Sequence, residues 1–189
     1  ALGWAVWPRD WPWGMQVALA LVSVEWAQYW VHRAQHAWPL LWRFHAVHHS
    51  ARRLYWLNAG RVHPLEAVVN YLVAVPVLVA LGCGAEPLAV YLVFISVCAS
   101  AQHANVDFRL GPLNWVLSQG PVHRWHHAPG KADADHNFGV VLILWDLVFG
   151  TFKAPGDWPE RVGIDPVESQ PKGYVAQVLA PFSRRRRGD

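Results

Sequence analysis

Long apolar stretches alternate along this chain with segments that are rich in histidine, arginine and tryptophan. Residues 12–31 are apolar apart from a few polar groups, and about 20 such residues are enough for a helix to cross a bilayer. Residues 65–83 and 88–101 are two further apolar stretches, and a glycine-rich turn at 82–87 separates them. The pattern therefore predicts one span over 12–31 and a transmembrane helical hairpin over 65–101.

The remaining segments are less apolar. Residues 38–63 carry too many polar side chains to lie in hydrocarbon, and residues 139–150 are too short for a full span, which predicts a re-entrant or interfacial helix there. Beyond Lys153, proline, glycine and charge predict loops with one short amphipathic helix near 173–180. We expect a single domain over 1–189, and because the first residue is Ala, we expect part of its N-terminal region to be missing.

Composition favours lipid surroundings for this pattern. The chain is 53% hydrophobic and 15% charged and contains 13 tryptophans, whereas an ordinary globular domain is about 25% charged. Tryptophan is enriched where helices meet the headgroup layer, although a Trp-rich soluble core is the alternative explanation. The predicted fold class is an all-α integral membrane helical bundle with a histidine-rich cap.

The positive charges give the bundle an orientation. The turn at 82–87 has no Lys or Arg, whereas six arginines flank the histidine segments: Arg33, Arg43, Arg52, Arg53, Arg61 and Arg109. By the positive-inside rule, the histidine cap faces the cytoplasm, and a bacterial inner membrane is the expected location. The run 184–187 is expected to lie against anionic lipid headgroups, and no nucleic-acid partner is predicted.

The eleven histidines fall into repeated clusters. His32 and His36 are four residues apart, and the pattern HxxHH occurs twice, at 45–49 and at 123–127. Residues three or four apart share a helix face, so each cluster directs at least two imidazoles the same way. A single histidine of this kind is more often structural, but the three clusters together predict a metal site.

The donor type leaves the metal open between iron, zinc, copper and nickel. One zinc needs only three or four ligands, so eight or nine imidazoles indicate two metals. The sequence places no glutamate directly beside a histidine cluster, which favours two irons that bind dioxygen over hydrolytic zinc. Glu25, two helical turns before His32, is a candidate for orienting a ligand.

Six motifs carry a resemblance to a known family: HRAQH (32–36), WRFHAVHHS (42–50), RVHPLE (61–66), QHANV (102–106), HRWHH (123–127), and DHNFG with WDLVFGTF (135–152). Together, over residues 20–155, they resemble the fatty acid hydroxylase superfamily, and most of all its bacterial sterol desaturase-like branch. The resemblance implies an integral membrane, non-haem di-iron enzyme that uses O2 and an external reductant to hydroxylate or desaturate a lipid C–H bond.

The resemblance also implies the site residues. The implied iron ligands are His32, His36, His45, His48, His49, His103, His123, His126 and His127. His63, Glu25 and Asn137 are possible ligands or orienting groups, and His136 matches a variable family position. Some relatives have a further histidine where this chain has Ala99, which bears on the second iron.

The resemblance leaves the lipid undetermined, with sterol, fatty acyl and carotenoid substrates all compatible. The implied electron donor is a cytochrome, a ferredoxin or an NAD(P)H reductase. Two other classes of function remain as alternatives: a histidine-rich membrane metal-binding or transport protein, and a zinc-dependent membrane hydrolase.

Overall fold

The computed structural model describes residues 6–107, 110–154, 156, 158–166 and 170–183. The described part is helical, and the one extended pairing within it is an isolated bridge between Leu117 and Leu142. The predicted all-α class is therefore confirmed. Within the described residues, eight α-helices occur in chain order: α1 Trp13–Ala37, α2 Pro39–His49, α3 Pro64–Leu81, α4 Ala85–His103, α5 Pro121–His126, α6 Lys131–Ala134, α7 Leu144–Phe149 and α8 Tyr174–Leu179.

Helix α1 is the central element, because it packs against α2, α3, α4 and α7. It ends at Ala37, and the next residue, Trp38, has an extended backbone as expected for a residue that precedes proline. Pro39 then opens α2 at a position where its missing N–H costs no hydrogen bond. This proline therefore turns the chain sharply between two helices that both carry histidines.

Helices α3 and α4 form the predicted hairpin. Gly82 closes α3 with a φ of 84°, a left-handed conformation that glycine adopts without steric cost. Among the described residues these two helices alone are long and apolar enough to cross a membrane, and only 17% of each apolar window is buried inside the protein. The hairpin is thus a membrane-capable element whose apolar side chains face outwards.

Helix α1 is longer than the predicted span over 12–31 and does not meet the same criterion of apolarity. Its buried face carries five polar side chains at helical spacing: Glu25, Gln28, His32, Gln35 and His36. The hydropathy of the observed helix therefore does not support the predicted membrane span over 12–31.

The bundle has an apolar end and a polar end. Ala20 and Val24 of α1 pack with Ala74 and Leu78 of α3 and with Tyr91 of α4 in the apolar core. The other end holds the second half of α1, the first turn of α3 and the last turn of α4, where the buried residues are polar. The functional side chains lie at this polar end.

The two minor predicted helices have different outcomes. The amphipathic helix near 173–180 is present as α8, and its Gln177 is buried. The segment 139–150 contains only the short helix α7, preceded by a loop over 136–143. Arg109 and the arginines at 184–187, on which the orientation and headgroup predictions partly rest, lie outside the described residues.

Candidate metal centre

Four helices bring nine histidines together at the polar end. Helix α1 supplies two, α2 supplies three, α4 supplies its last residue, and α5 with the residue after it supplies three. They form a five-histidine group (His32, His36, His45, His49 and His126) and a four-histidine group (His48, His103, His123 and His127). Within each group, one ring nitrogen from every member lies within 4.8 Å of the others.

The Nε2 atoms of the five-histidine group converge on one point. The Nε2 of His32 lies 3.1 Å from that of His45 and 2.9 Å from that of His126. The Nε2 of His49 lies 3.0 Å from that of His45 and 3.2 Å from that of His36. The five rings thus present the same atom to a shared centre.

The four-histidine group repeats this arrangement. The Nε2 of His103 lies 3.2 Å from those of His48 and His123, and the Nε2 of His127 lies 3.1 Å from that of His123. The groups are adjacent, because the rings of His49 and His127 stack with centroids 4.4 Å apart. The protein therefore has two neighbouring sets of converging imidazole nitrogens.

Hydrogen bonds at the opposite ring nitrogen fix the proton positions in several of these rings. Nδ1 of His32 lies 2.7 Å from the carbonyl oxygen of Phe138, and Nδ1 of His126 lies 2.8 Å from that of His136. A carbonyl oxygen only accepts, so both Nδ1 atoms carry the proton and both Nε2 atoms expose a lone pair. Two bare nitrogens 2.9 Å apart have no proton to share.

The same conflict occurs in the four-histidine group. Nδ1 of His48 donates to the carbonyl of Arg61, and Nδ1 of His103 donates to that of Ala99, so their Nε2 atoms also meet as lone pairs. A cation resolves it, since a metal about 2.1 Å from each nitrogen sets ligand nitrogens about 3.0 Å apart at 90° and about 3.4 Å apart at the tetrahedral angle. The donor set of each group therefore fits a metal ion.

Burial keeps these imidazoles neutral, which is the form that binds metal. Burial lowers the pKa of His45 to about 3. Burial, with repulsion from neighbouring imidazoles, also lowers the pKa of His48, His49, His126 and His127 well below 6.5. Protonated imidazoles would repel one another at these distances, so the rings stay neutral. A neutral cluster can accept the positive charge of a metal ion.

Two carboxylates orient members of the five-histidine group. Glu66 Oε1 lies 2.6 Å from Nδ1 of His45, and Asp135 Oδ1 lies 3.1 Å from Nδ1 of His36. Such carboxylates fix the ring and strengthen the imidazole as a donor. Glu66 is far from the HxxHH clusters in sequence. The observation that no glutamate lies beside these clusters in the sequence therefore did not predict the carboxylate that contacts His45 in the folded protein.

The loop over 136–143 orients two more of the imidazoles, because its carbonyls at His136 and Phe138 accept from His126 and His32. Asp146 holds this loop by accepting from the main-chain N–H groups of Phe138 and Gly139. Gly139 is required there, since an added Cβ would lie 2.1 Å from the carbonyl oxygen of Leu142.

Glu25 and Asn137 act on the same loop rather than on a ring nitrogen. Glu25 accepts from the N–H groups of Val141 and Leu142, and Asn137 donates to the carbonyls of Val122 and Lys153. Asn137 also adopts a φ of 56°. Both residues were predicted as ligands or orienting groups. They hydrogen-bond to main-chain groups in and around the loop whose carbonyls orient the imidazoles, and not to a ring nitrogen.

His63 lies outside both groups. Its Nδ1 accepts from the N–H of Leu65 at the start of α3, and its Nε2 lies 3.0 Å from the carbonyl oxygen of Val178. It therefore caps α3 and ties it to α8. His136 contributes its main-chain carbonyl to His126, while its side chain belongs to neither group.

A helical bundle with a membrane-capable hairpin and two sets of converging imidazoles is the arrangement expected of a membrane metalloprotein. The fatty acid hydroxylase family model matches residues 17–151, which contain every histidine of both groups. The chain belongs to the fatty acid hydroxylase family.

Named relatives agree with this assignment. The chain is 40% identical to the ornithine lipid hydroxylase OlsE of Rhizobium tropici over 96% of its own length and 54% of the relative's. It is 32% identical to the human alkylglycerol monooxygenase over 80% of its length and 33% of the relative's, and 31% identical to that of Danio rerio. The chain thus spans about half the length of the first relative and about a third of the others. No solved structure matches the chain significantly.

Proposed function

We propose that this protein is a membrane-bound, non-haem di-iron enzyme that hydroxylates a C–H bond of a lipid. The observation that carries the proposal is the meeting of unprotonated Nε2 atoms at 2.9 to 3.2 Å in two adjacent groups. Family membership and the exposed apolar hairpin support it. Hydroxylation is favoured over desaturation because the similar relatives are named as a hydroxylase and as monooxygenases.

The proposed reaction balances as RH + O2 + 2 e⁻ + 2 H⁺ → ROH + H2O, with the electrons supplied by an external reductant. Iron bound in these groups would supply the redox chemistry that oxygen insertion requires. The protein's own part is to hold nine donors rigidly, through the carboxylates of Glu66 and Asp135 and the loop held by Asp146. Burial of both groups keeps bulk water away from them.

A lipid substrate is proposed from the position of the centre. Both membrane-capable helices have an end at the histidines, since Glu66 is in the first turn of α3 and His103 is the last residue of α4. A lipid lying along the hairpin therefore has a short path to the imidazoles. We place the histidine cluster on the cytoplasmic side of a bacterial inner membrane, where a cytochrome, ferredoxin or NAD(P)H reductase donates the electrons.

Two other functions are less well supported. A transporter would carry ionisable residues along its spans, whereas the polar side chains of α3, Glu66 and Asn70, lie in its first two turns. A zinc hydrolase would need three or four ligands for each metal and an open position, whereas one of the two groups offers five imidazoles.

The test is to purify the full protein from iron-supplemented cells, count metals per chain, and supply a reductant, a lipid extract and ¹⁸O2. We expect about two irons per chain and one ¹⁸O atom in a product lipid. An active form that contains zinc alone would overturn the di-iron proposal, and unlabelled lipids from an iron-loaded, reduced protein would overturn lipid hydroxylation.

A further inference from the structure

Four short helical segments around the histidine cap share one distribution of side chains. They are the helices α7 and α8 and two 3₁₀ helices, Trp56–Gly60 and Gly111–Trp115. Each segment buries a polar side chain and exposes apolar ones, and the buried residues are Asn58, Asn114, Asp146 and Gln177. A surface helix in water has the opposite arrangement, with its apolar face towards the core. These four segments are called the collar below.

Helix α8 shows the inversion most clearly. Val175 and Leu179 are four residues apart and share a helix face, and they are 71% and 60% exposed. Gln177 lies on the other face and is 8% exposed. Its side chain accepts from Ser50 and donates to the carbonyl of Pro171. The helix therefore directs its hydrogen-bonding side chain into the protein and leaves its aliphatic side chains uncovered.

The other three segments of the collar repeat this pattern. Their inward side chains include Asp146, which accepts from the main chain of the loop over 136–143. The four segments contain no Lys, Arg or Glu, and Asp146 is their one Asp. The exposed apolar side chains of the three segments include Trp56, Leu57, Leu113, Trp115, Leu147 and Val148. The outer surface of the collar thus carries apolar side chains and no charged one.

Hydrogen bonds to the long helices fix the level of one half of the collar. Gln119, just after the segment Gly111–Trp115, donates to the carbonyl of Cys98, five residues before the last residue of α4. Glu25, seven residues before the first histidine of α1, accepts from the N–H of Leu142, just before α7. At a rise of 1.5 Å per residue, these contacts lie about 8 and 10 Å from the histidines, towards the apolar end. This half therefore lies beside α4 within its membrane-capable length.

The other half of the collar lies nearer the histidines. Tyr174 of α8 donates to the carbonyl of Val62, and Nε2 of His63 donates to the carbonyl of Val178. Val62 and His63 directly precede α3, whose apolar side chains are exposed from Leu65 onwards. Helix α8 is therefore level with the first turn of α3, and its apolar face continues the outer face of the hairpin.

We propose that the collar is an interaction surface for the lipid bilayer, with its apolar side chains in the boundary between headgroups and acyl chains. Tryptophans are enriched at this boundary, and short helices that lie in it insert their apolar face by about 5 to 10 Å. The collar segments pack on different helices: α7 on α1, the segment Trp56–Gly60 on α4, and α8 on α2. One protein partner would have to surround the bundle to cover them, whereas a bilayer that holds the hairpin already does.

The proposal places both histidine groups at the level of the headgroups rather than above them in water. It concerns only the protein and the bilayer, so it goes beyond the proposed function and does not depend on it. Neither of the measurements below uses turnover. The failure of one proposal is therefore distinguishable from the failure of the other.

Spin labels on the full protein in vesicles of phosphatidylcholine and phosphatidylglycerol test the depth of the collar. Cys83 and Cys98 are replaced by alanine, and a single cysteine is then introduced at Val148, at Val175 or, as the control, at Lys131, which is 77% exposed on α6. Power-saturation EPR compares the access of O2, which concentrates in acyl chains, with that of a water-soluble nickel chelate. We expect the ratio of O2 access to chelate access to be severalfold higher at both collar sites than at Lys131, and highest at Val148.

Three results would overturn the proposal. Equal ratios at the collar sites and at Lys131 would mean that the collar faces water, which leaves it free for a soluble partner. Spin–spin broadening that disappears on dilution with unlabelled protein would mean that a second copy of the chain covers it. A higher ratio at Val175 than at Val148 would contradict the two levels that the hydrogen bonds assign.

An apolar carbene photolabel dissolved in the same vesicles tests the unaltered protein, so the proposal remains testable if a cysteine variant does not fold. Mass spectrometry should find the label in peptides that cover 111–116, 144–149 and 174–179, and not in a peptide that covers 131–134. Labelling confined to α3 and α4 would overturn the proposal.

Discussion

The two histidine groups look alike at Nε2 and differ at Nδ1. In the five-histidine group, four of the rings have a hydrogen-bond acceptor at Nδ1, and two of those acceptors are carboxylates: the side chains of Glu66 and Asp135. In the four-histidine group, two rings donate to main-chain carbonyls. The Nδ1 atoms of the other two, His123 and His127, are buried without a partner among the described residues.

This difference bears on how firmly each group can hold a metal. A carboxylate at Nδ1 strengthens the imidazole as a donor, and outer hydrogen bonds of this kind contribute about 10- to 100-fold to metal affinity. The five-histidine group is therefore expected to bind the first metal more tightly. The four-histidine group, with fewer fixed rings, is expected to exchange its metal and to rearrange more easily around a substrate.

Removal of one ligand from each group gives the largest expected effect. His45→Ala and His48→Ala should each lower the metal content of the purified protein from about two towards about one per chain, because each removes one converging donor and so weakens the binding of a metal by its group. Reductant-dependent O2 consumption should fall to background in both. Metal analysis and oxygen electrode measurements check this.

The matched control for both variants is His63→Asn, since His63 caps α3 outside both groups and Asn is a good N-cap. It should retain two metals. If His45→Ala loses both metals while His48→Ala loses one, the second site depends on the first, and the two groups are not independent.

The loop held by Asp146 gives the next largest effect. Asp146→Asn replaces an acceptor with an amide that cannot accept from both Phe138 N–H and Gly139 N–H, so His32 and His126 lose their fixed carbonyls. We expect about a 100-fold loss of affinity in the five-histidine group and little change in the four-histidine group. Titration of the metal-free variant with Co²⁺, followed by absorbance, measures both.

Asp10→Asn is the control for that substitution, because Asp10 is exposed and precedes α1. Equal weakening of both groups by Asp146→Asn would contradict a selective role for the loop. It would show that the loop supports the whole cluster.

A smaller effect is expected for Asp135→Asn. Asp135 orients His36, but its side chain is 37% exposed, and the amide oxygen of Asn can still accept from Nδ1. We expect about a tenfold loss of affinity in the five-histidine group. The neighbouring Asp133→Asn, which removes a partner of Lys153 and contacts no histidine of either group, should leave both affinities unchanged.

The sequence was sufficient for the features that depend on local pattern. The hairpin follows from two apolar runs around Gly82, and eight of the nine histidines follow from clusters at helical spacing. His103 was implied only by the family resemblance. The prediction that a cluster directs at least two imidazoles the same way is also confirmed, since His45 and His49 both belong to the five-histidine group. That these nine bind metal stays a prediction.

Features that depend on contacts between distant segments were not predictable. His48 joins His127 across the bundle, and Glu66 reaches His45 only because α3 packs beside α2. Glu25 was expected near the ring of His32, two turns further along α1, but it contacts the loop over 136–143 because that loop crosses the helix at this level. The spacing of polar residues within one helix does not indicate which distant loop packs against that helix.

The smallest expected effect is a difference in the rate of metal loss. His48→Ala leaves the five-histidine group intact, and His45→Ala leaves the four-histidine group intact, so each variant reports on one metal. In His45→Ala the remaining metal is held by the four-histidine group, in which two imidazoles lack a partner at Nδ1 among the described residues. These rings reorient more freely. Dialysis against EDTA should therefore remove the metal from His45→Ala a few times faster than from His48→Ala. Equal rates would mean that burial alone, which both groups share, governs exchange, and the contrast at Nδ1 would then have no bearing on metal retention.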